Sequence, residues 1–193
     1  VREVATQLSK LGPNPKTVLV SCTKGIEHNT GRLMSQILEE CLPENRIAVL
    51  SGPNHAVEVA QRIPAAGVIG SAHAELLDPL QRTFSLPTFR AYTSDDVTGI
   101  QLGGALKNVF AISAGVSDGF KMGDNAKAGL VTRALAEMMR LGVALGGRQE
   151  TFFGLSGVGD LMVTCFSRHS RNRKVGERLG QGESPAQIQS SMQ

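Results

Sequence analysis

Large aromatic residues are almost missing from this sequence of 193 residues, which contains no Trp and one Tyr. A core built on indole and phenol rings is therefore excluded, and the interior must consist of aliphatic residues, Met and Phe. No apolar run is long enough to cross a bilayer, and no signal-peptide pattern is present. We therefore expect neither a membrane-spanning protein nor a membrane partner.

Paired cysteines and a strong net charge are also missing. The three cysteines are odd in number and form no Cys-x-x-Cys pair, so neither a disulfide framework nor a zinc site is indicated, and we expect no metal. This usage favours a reducing, cytoplasmic setting. The formal net charge of +3 is too weak, averaged over the chain, to indicate a nucleic-acid partner.

The first half of the sequence alternates between two hydrophobic periods. Short apolar, β-branched runs are typical of buried parallel strands, and the segments between them carry apolar residues at helical spacing. Such alternation predicts an α/β fold with a doubly wound parallel sheet. The strands are predicted at 17–21, 47–50, 66–70 and 89–92, and the helices at 1–11, 30–42, 56–62 and 75–84.

The second half loses this alternation. Apolar residues keep helical spacing over 98–116, 126–145 and 171–179, with no strand candidate between these segments. We therefore predict two domains, an α/β domain at 1–94 and an all-helical domain at 95–193. A cleft between two domains is a common place for a ligand.

The sequence contains no P-loop and no complete dinucleotide-binding fingerprint. Gly157 and Gly159 would begin such a fingerprint, but Met162 occupies the third glycine position and no strand precedes the segment, so we predict a loop there. In a doubly wound fold the fingerprint follows the first strand of the sheet. We expect that strand to lie upstream of Val1.

Two polar segments follow predicted strands, where ligands gather in open α/β sheets. Lys24 in the first segment stands beside a glycine and can reach an anionic ligand, and the alternative is a solvated surface lysine. Gly52 in the second segment permits a tight turn before a helix start, which favours an anion or a polar ligand. His55 is a candidate acid or base, although a His at this position is more often a polar cap or a surface group.

Lys107 follows the paired glycines Gly103 and Gly104 within an apolar helix. Helix interiors disfavour Gly by roughly 1 kcal/mol relative to Ala, so the pair indicates close packing against the backbone. Lys107 is a candidate proton donor, since desolvation lowers the pKa of a lysine, and the alternative is a lysine whose stem covers apolar surface. If the segment after 159 is helical, Asp160 and Thr164 share a face, and Asp160 can balance a buried lysine.

A basic run occupies 167–174 and opens a predicted helix. Ser170, Arg171 and Asn172 at a helix N-terminus suit a phosphate, because the guanidinium binds it bidentately and the helix dipole adds to the attraction. The alternatives are a solvated basic face and a nucleic-acid contact. Apart from Phe166, no aromatic residue interleaves with the run, which argues against the nucleic-acid contact.

Taken in this order, the motifs resemble those of NAD(P)-dependent glycerol-3-phosphate dehydrogenases of the bacterial type. The resemblance implies part of a Rossmann-type domain followed by an all-helical domain, with the glycine-rich cofactor loop and the C-terminal end of the family outside this sequence. The motifs that carry the likeness lie at 23–27, 51–53, 102–108, 123–126, 159–165 and 170–172.

The resemblance also implies roles for individual residues. Lys107 matches the family's proton donor and acceptor, and Asp160 matches the carboxylate that partners it. Contacts with NAD or NADP are implied for Lys24, Ala56 and Arg171. The implied substrate contacts are Lys24, Gly52, Asn54, Lys107, Asn108, Asp160, Thr164, Ser170, Arg171 and Asn172.

Three positions depart from the family pattern. Asn54 stands where the bacterial type usually has Ser or Thr, His55 stands where Phe is frequent, and Gln101 stands where an acidic residue is common. A polar contact at position 54 survives the change. None of the three departures removes a group with an implied catalytic role.

The activity implied by the resemblance is hydride transfer from reduced NAD or NADP to dihydroxyacetone phosphate, giving sn-glycerol 3-phosphate for glycerophospholipid synthesis. A homodimer is also implied. Two other functions fit the residues taken alone. One is a two-domain dehydrogenase of another small hydroxy acid, and the other is a nucleic-acid-binding module that uses the basic run.

Overall fold

The computed structural model describes residues 1–191. The order of its elements confirms the predicted α/β fold class followed by helices. One sheet contains β1 (Leu19–Ser21), β2 (Ile47–Ser51), β3 (Ala65–Gly70) and β4 (Phe89–Ser94). The helices that alternate with these strands are α1 (Arg2–Lys10), α2 (Met34–Cys41), α3 (Ala56–Ala60) and α4 (Ala74–Phe84).

Only helices follow β4 within the described residues. None of them combines the length and the hydropathy needed to span a membrane. In chain order they are α5 (Val97–Gly119), α6 (Asp124–Ala144), α7 (Gln149–Phe152), a π-helical turn (Leu155–Gly159), α8 (Asp160–Phe166), α9 (Arg171–Gly180) and α10 (Pro185–Ser191).

The strands lie in the order β1-β2-β3-β4, but the sheet is mixed. β1 is parallel to β2 and β3 is parallel to β4, whereas β2 and β3 are antiparallel, so the prediction of a purely parallel sheet is wrong at that junction. A parallel neighbour needs a crossover that carries the chain back along the whole strand. The five residues of α3 rise by only about 7.5 Å, while the six residues of β3 extend for about 20 Å. The chain therefore runs back beside β2.

The parallel pair β1 and β2 places two polar segments at one edge of the sheet. β1 ends at Ser21 and β2 ends at Ser51, and both strands point the same way. The segments that follow them, which contain Lys24 and Gly52, therefore start side by side, next to α5.

The helical half is held by an aliphatic core, as the scarcity of aromatic residues predicts. Phe152 is completely buried at the centre of this core. A Cβ atom at Gly142 of α6 would lie 2.0 Å from the Phe152 ring. The helix α6 therefore approaches Phe152 through a position without a side chain. The buried members of this core are Leu33, Leu102, Ala111, Ala114, Val131, Ala134, Met138, Phe152, Leu161 and Cys165.

Glycines allow α5 and α9 to cross in backbone contact. Gly115 and Gly119 of α5 face Gly176 and Gly180 of α9. A Cβ atom at Gly115 would lie 1.9 Å from the carbonyl oxygen of Arg173, and one at Gly176 would lie 1.9 Å from a carbonyl oxygen of α5. The start of α9 is thereby fixed against the middle of α5.

One predicted loop is a helix. The segment containing Gly157 and Gly159 forms the π-helical turn and continues directly into α8, so the loop prediction is wrong. The reason is tertiary packing, because Ser156 of this turn lies against Gly103 of α5, where a Cβ atom would lie 2.4 Å from the Ser156 carbonyl oxygen. Such contacts between distant segments leave no periodic signal in the local sequence.

Candidate active site

A buried carboxylate lies between two lysines from different parts of the fold. Asp160, the first residue of α8, is 1% exposed, and its Oδ1 accepts a hydrogen bond from Nζ of Lys107 on α5. Nζ of Lys24, from the segment after β1, lies 2.7 Å from Oδ2 of the same carboxylate. Two cations therefore share one anion, which leaves a local excess of one positive charge.

Thr164 completes the surroundings of Lys107. The Lys107 Nζ donates to Thr164 Oγ1 at 2.8 Å, and this hydroxyl donates in turn to the Asp160 carbonyl oxygen at 2.6 Å. Asp160 and Thr164 share one face of α8, in agreement with the spacing argument for a helix. The alternative, a lysine whose stem covers apolar surface while its head group reaches solvent, is wrong, because Lys107 is only 6% exposed.

The paired glycines of α5 bring the site together. A Cβ atom at Gly103 would lie 2.4 Å from the carbonyl oxygen of Ser156 in the π-helical turn. A Cβ atom at Gly104 would lie 2.8 Å from Ser51 Oγ and 3.2 Å from Cγ of Lys24. Both the turn that leads to Asp160 and the stem of Lys24 therefore rest on bare backbone, as the close-packing prediction requires.

Burial lowers the pKa of Lys107 from its ordinary value to about 8. Loss of hydration is the largest cause, since it penalises the ammonium form. The Asp160 carboxylate raises the pKa and Lys24 lowers it. Both protonation states of Lys107 are therefore accessible near neutral pH, which is the requirement for a general acid and base.

Lys24 also joins the two strand ends. Its Nζ donates to the Gly52 carbonyl oxygen at 2.9 Å and to Asn54 Oδ1 at 3.1 Å. Gly52 has a φ of +136°, and a Cβ atom there would lie 3.0 Å from Cα of Gly67. The interpretation of Lys24 as a solvated surface residue is therefore wrong, and Asn54 preserves a polar contact at this position.

An apolar cavity of about 520 Å³ opens beside this network. Asn54 and Ala56, the first residue of α3, line it, and Ala56 is exposed. The other lining residues are Cys22, Leu50, Val59, Ala60, Phe84, Leu86 and Phe89.

The N-terminus of α9 lies next to Lys107 through a pair of amides. Asn172 Nδ2 donates to Asn108 Oδ1 at 2.8 Å. Ser170 is buried, and its Oγ caps the helix by accepting from the Arg173 backbone N–H at 3.1 Å. Arg171 is exposed and makes no hydrogen bond or ion pair within residues 1–191. Its guanidinium is therefore available to an anion at this helix end.

The basic run is only partly a solvated face. Arg173 turns inward, pairs with Asp118 and donates from Nε to the Ser167 carbonyl oxygen at 3.1 Å. Arg168 and Arg171, in contrast, are exposed. The run thus divides into one structural arginine and exposed basic groups that face solvent.

Most of the predicted site residues lie in or beside one hydrogen-bonded network, and three do not bond to it. Among the described residues, Ala56, Ser170 and Arg171 make no hydrogen bond or ion pair with the network. The connected members are Lys24, Gly52, Asn54, Lys107, Asp160 and Thr164, with Asn108 and Asn172 paired beside them.

Three buried side-chain atoms within residues 1–191 lack a hydrogen-bond partner, and all belong to this region. They are Ser51 Oγ, His55 Nε2 and Asp160 Oδ2, the last in an ion pair with Lys24 but without the angles of a hydrogen bond. Buried polar groups are nearly always satisfied, so a cluster of exceptions suits a polar ligand. No role was predicted for Ser51 from the sequence. Its position at the end of a strand is the one signal that could have placed it in the site.

No group of three or more His, Cys, Asp or Glu side chains in residues 1–191 is arranged to hold a metal ion.

Comparison with known proteins gives matches over both halves of the chain. A model of the NAD-dependent glycerol-3-phosphate dehydrogenase N-terminus matches residues 1–77, and a model of the C-terminus of the same family matches 96–193. The glycerol-3-phosphate dehydrogenase [NAD(P)+] of Nostoc sp. is 51% identical over 188 residues, which cover 97% of this chain and 61% of that protein. The enzyme of the same name from Fusobacterium nucleatum is 52% identical over 168 residues, covering 86% of this chain and 50% of that protein.

A solved structure supports the same relationship. The crystal structure of glycerol-3-phosphate dehydrogenase from Coxiella burnetii aligns with a TM-score of 0.93 and 40% identity, covering 99% of this chain and 58% of that one. The chain thus spans about 61% of the length of its Nostoc relative. The resemblance predicted from the motifs is confirmed, and this chain belongs to the NAD-dependent glycerol-3-phosphate dehydrogenase family.

Proposed function

We propose that the protein containing this chain reduces dihydroxyacetone phosphate to sn-glycerol 3-phosphate with NADH or NADPH, and catalyses the reverse reaction. The observation that supports this most is the buried arrangement of Lys107 between Asp160 and Thr164. It supplies a proton donor in a site that excludes water, as reduction of a ketone requires.

The cavity beside the site would hold part of the nicotinamide cofactor. Its lining is mostly apolar, with Ala56 exposed and Asn54 as a polar member, and Lys24 adds a cation nearby. We assign Lys24, Ala56 and Arg171 as its contacts in this chain. When bound, the reduced cofactor supplies the hydride that adds to C2 of the ketone.

Lys107 is assigned as the general acid. Its ammonium group donates a hydrogen bond to the ketone oxygen and gives up the proton as that oxygen becomes an alkoxide. Asp160 and Thr164 hold the Nζ atom in place through their hydrogen bonds. In the reverse direction the neutral amine of Lys107 accepts the hydroxyl proton.

The substrate phosphate is assigned to the first turn of α9. Arg171 is exposed there, the first backbone N–H groups of the helix have no backbone partner, and the Asn108–Asn172 pair links this turn to the residue after Lys107. Fixing the phosphate positions C2 relative to Lys107, which lowers the entropic cost of reaction. Gly52 and Ser170 then act mainly through backbone shape and helix capping.

Substrate comparison tests the proposal. The full-length protein is assayed by NADH and NADPH oxidation with dihydroxyacetone phosphate, dihydroxyacetone and a 2-keto acid. We expect turnover with the phosphorylated ketone and a kcat/KM at least about 30-fold lower without the phosphate, the scale of one lost charged contact. Preference for a 2-keto acid would instead favour the dehydrogenase of another hydroxy acid. Supply of glycerol 3-phosphate to lipid synthesis, a homodimer and a cytoplasmic location remain predictions from the family resemblance.

A further inference from the structure

His55 directly precedes α3 but does not cap it. It occupies the N-cap position, yet its side chain makes no capping hydrogen bond to the helix. The residue is half-buried, and its Nε2 atom is buried completely. The two ordinary explanations, a polar cap and a surface group, are therefore both wrong for this histidine.

The buried Nε2 atom has no hydrogen-bond partner within residues 1–191. An unpaired polar atom in the interior costs free energy, and such atoms in native structures require an explanation. The His55 ring lies within reach of the charges of Lys107, Asp160 and Lys24, and its two neighbours in the chain line the cavity beside this network. A ligand group in this site is the natural partner for the atom.

Burial and the surrounding charges determine the protonation state of the His55 ring. Burial lowers the pKa of His55 most, and among the charged groups Lys107 acts most strongly in the same direction. Lys24 adds to this effect, while Glu58 and Asp160 oppose it. The imidazole is therefore neutral at neutral pH, with one nitrogen that donates and one that accepts. A neutral ring suits an uncharged hydroxyl better than a phosphate.

We propose that His55 is a specificity-determining residue that hydrogen-bonds the free hydroxyl group of dihydroxyacetone phosphate through its Nε2 atom. The inference rests on the proposed function. In that function Arg171 takes the phosphate and Lys107 takes the ketone oxygen. These two residues leave the hydroxyl on the remaining carbon unbound, and His55 directly follows Asn54, one of the implied substrate contacts.

A substrate that lacks this hydroxyl tests the proposal. Hydroxyacetone phosphate keeps the phosphate and the ketone but ends in a methyl group. The ratio of kcat/KM for dihydroxyacetone phosphate to that for hydroxyacetone phosphate is measured in the full-length protein and in the variants His55→Phe and His55→Gln. A site built to bind a hydroxyl rejects an analogue without it, so we expect the ratio to fall about tenfold or more in His55→Phe. The glutamine variant keeps a neutral donor and acceptor and should retain most of the preference.

The outcomes separate this inference from the function on which it rests. If the wild type reduces dihydroxyacetone phosphate but both variants keep its ratio, His55 does not bind the hydroxyl. The same conclusion follows if His55→Phe raises the Kd for NADH and leaves the ratio unchanged, since the ring would then contact the cofactor. A wild type that is inactive on dihydroxyacetone phosphate would contradict the proposed function and this inference together. Circular dichroism verifies that both variants are folded. If His55→Phe does not fold, His55→Ala, which adds no bulk and removes both ring nitrogens, takes its place in the comparison.

Discussion

Asn172 and Asn108 are joined by a hydrogen bond of 2.8 Å between the Nδ2 atom of the first and the Oδ1 atom of the second. Each residue directly follows one with an assigned role, since Asn108 follows Lys107 on α5 and Asn172 follows Arg171 on α9. The bond therefore links the proposed proton donor to the proposed phosphate-binding turn. In that proposal, the bond and the glycine crossing of the two helices together set the spacing between the two ends of the substrate.

Asn172→Ala should impair the binding of the substrate more than the chemical step. The substitution removes the link to Asn108 and leaves α9 held to α5 by the glycine crossing and the Arg173–Asp118 pair. We expect KM for dihydroxyacetone phosphate to rise about fivefold, the scale of one neutral hydrogen bond, with a smaller change in kcat. Asn29→Ala, at an exposed loop position, is the control. A drop confined to kcat would contradict the linking role.

Lys107→Ala should lower kcat by about 10²- to 10⁴-fold, the usual effect of losing a general acid. The Kd for NADH should change little, because the cofactor contacts are assigned to other residues. Steady-state kinetics and fluorescence titration measure the two quantities. Lys10→Ala, on the exposed side of α1, serves as the matched control. Near-normal kcat in the Lys107 variant would remove this residue from the mechanism.

Titration of Lys107 should set the pH dependence of both directions. With a pKa of about 8, the protonated form predominates at lower pH, so ketone reduction should be constant there and fall as the pH rises through about 8. Oxidation of glycerol 3-phosphate needs the neutral amine and should rise through the same region. Asp160→Asn should move both transitions to lower pH, because the carboxylate raises the pKa of Lys107. Unchanged profiles in this variant would show that another group titrates.

Titration of Lys107 should also make the free energy of unfolding depend on pH. The pKa of Lys107 is lowered from 10.5 in the unfolded chain to about 8 in the folded protein. Between these values the unfolded state binds more protons, so the free energy of unfolding should rise with pH across that window. Lys107→Met removes the titrating group and should flatten this part of the profile. Urea denaturation at several pH values measures the slope.

Arg171→Ala should weaken recognition of the phosphate. We expect a loss of about 2 kcal/mol, or about 30-fold in kcat/KM for dihydroxyacetone phosphate, with little change for dihydroxyacetone. Arg168→Ala is the matched control, since Arg168 is an exposed arginine of the same basic run. Equal effects of the two substitutions would mean that only the general positive potential matters.

Two glycine substitutions should have opposite effects on stability. A Cβ atom at Gly115 would lie 1.9 Å from the Arg173 carbonyl oxygen, whereas one at Gly129 of α6 meets no atom within 4 Å. Gly115→Ala should therefore destabilise the protein by about 1–3 kcal/mol through overpacking. Gly129→Ala should stabilise it by up to about 1 kcal/mol through helix propensity. Chemical denaturation measures both, and a neutral Gly115→Ala would contradict the close crossing of α5 and α9.

The features that sequence predicts well are those fixed by local periodicity. Strand and helix positions in the first half follow from alternating apolar runs, and the long helices α5 and α6 follow from helical spacing. The antiparallel direction of β3 follows from the shortness of α3, which the sequence pattern left unrecognised. The π-helical turn is decided by contacts between distant segments. One example is the approach of Ser156 to Gly103, which no local pattern reveals.

The candidate site also has features that the local sequence predicts and features that it does not. The paired glycines before Lys107 predict close packing from sequence alone, and the packing is present. His55 could not be judged from its neighbours, because nothing local says whether an imidazole at a helix start turns inward or outward. Gln101 shows a related limit. Its side chain accepts from the Ser35 backbone N–H and donates to Ser35 Oγ, both at 2.9 Å, and sequence shows only that it replaces an acidic residue.

The sharing of Asp160 by two lysines couples ligand binding to proton uptake. Lys24 lowers the pKa of Lys107 through its positive charge. An anionic ligand that neutralises Lys24, or draws it away from Asp160, removes that effect, so Lys107 then holds its proton to higher pH. Near pH 8 the complex must therefore take up a fraction of a proton from solution. Calorimetric titration with inorganic phosphate in buffers of different ionisation enthalpy would register that uptake as a buffer-dependent heat.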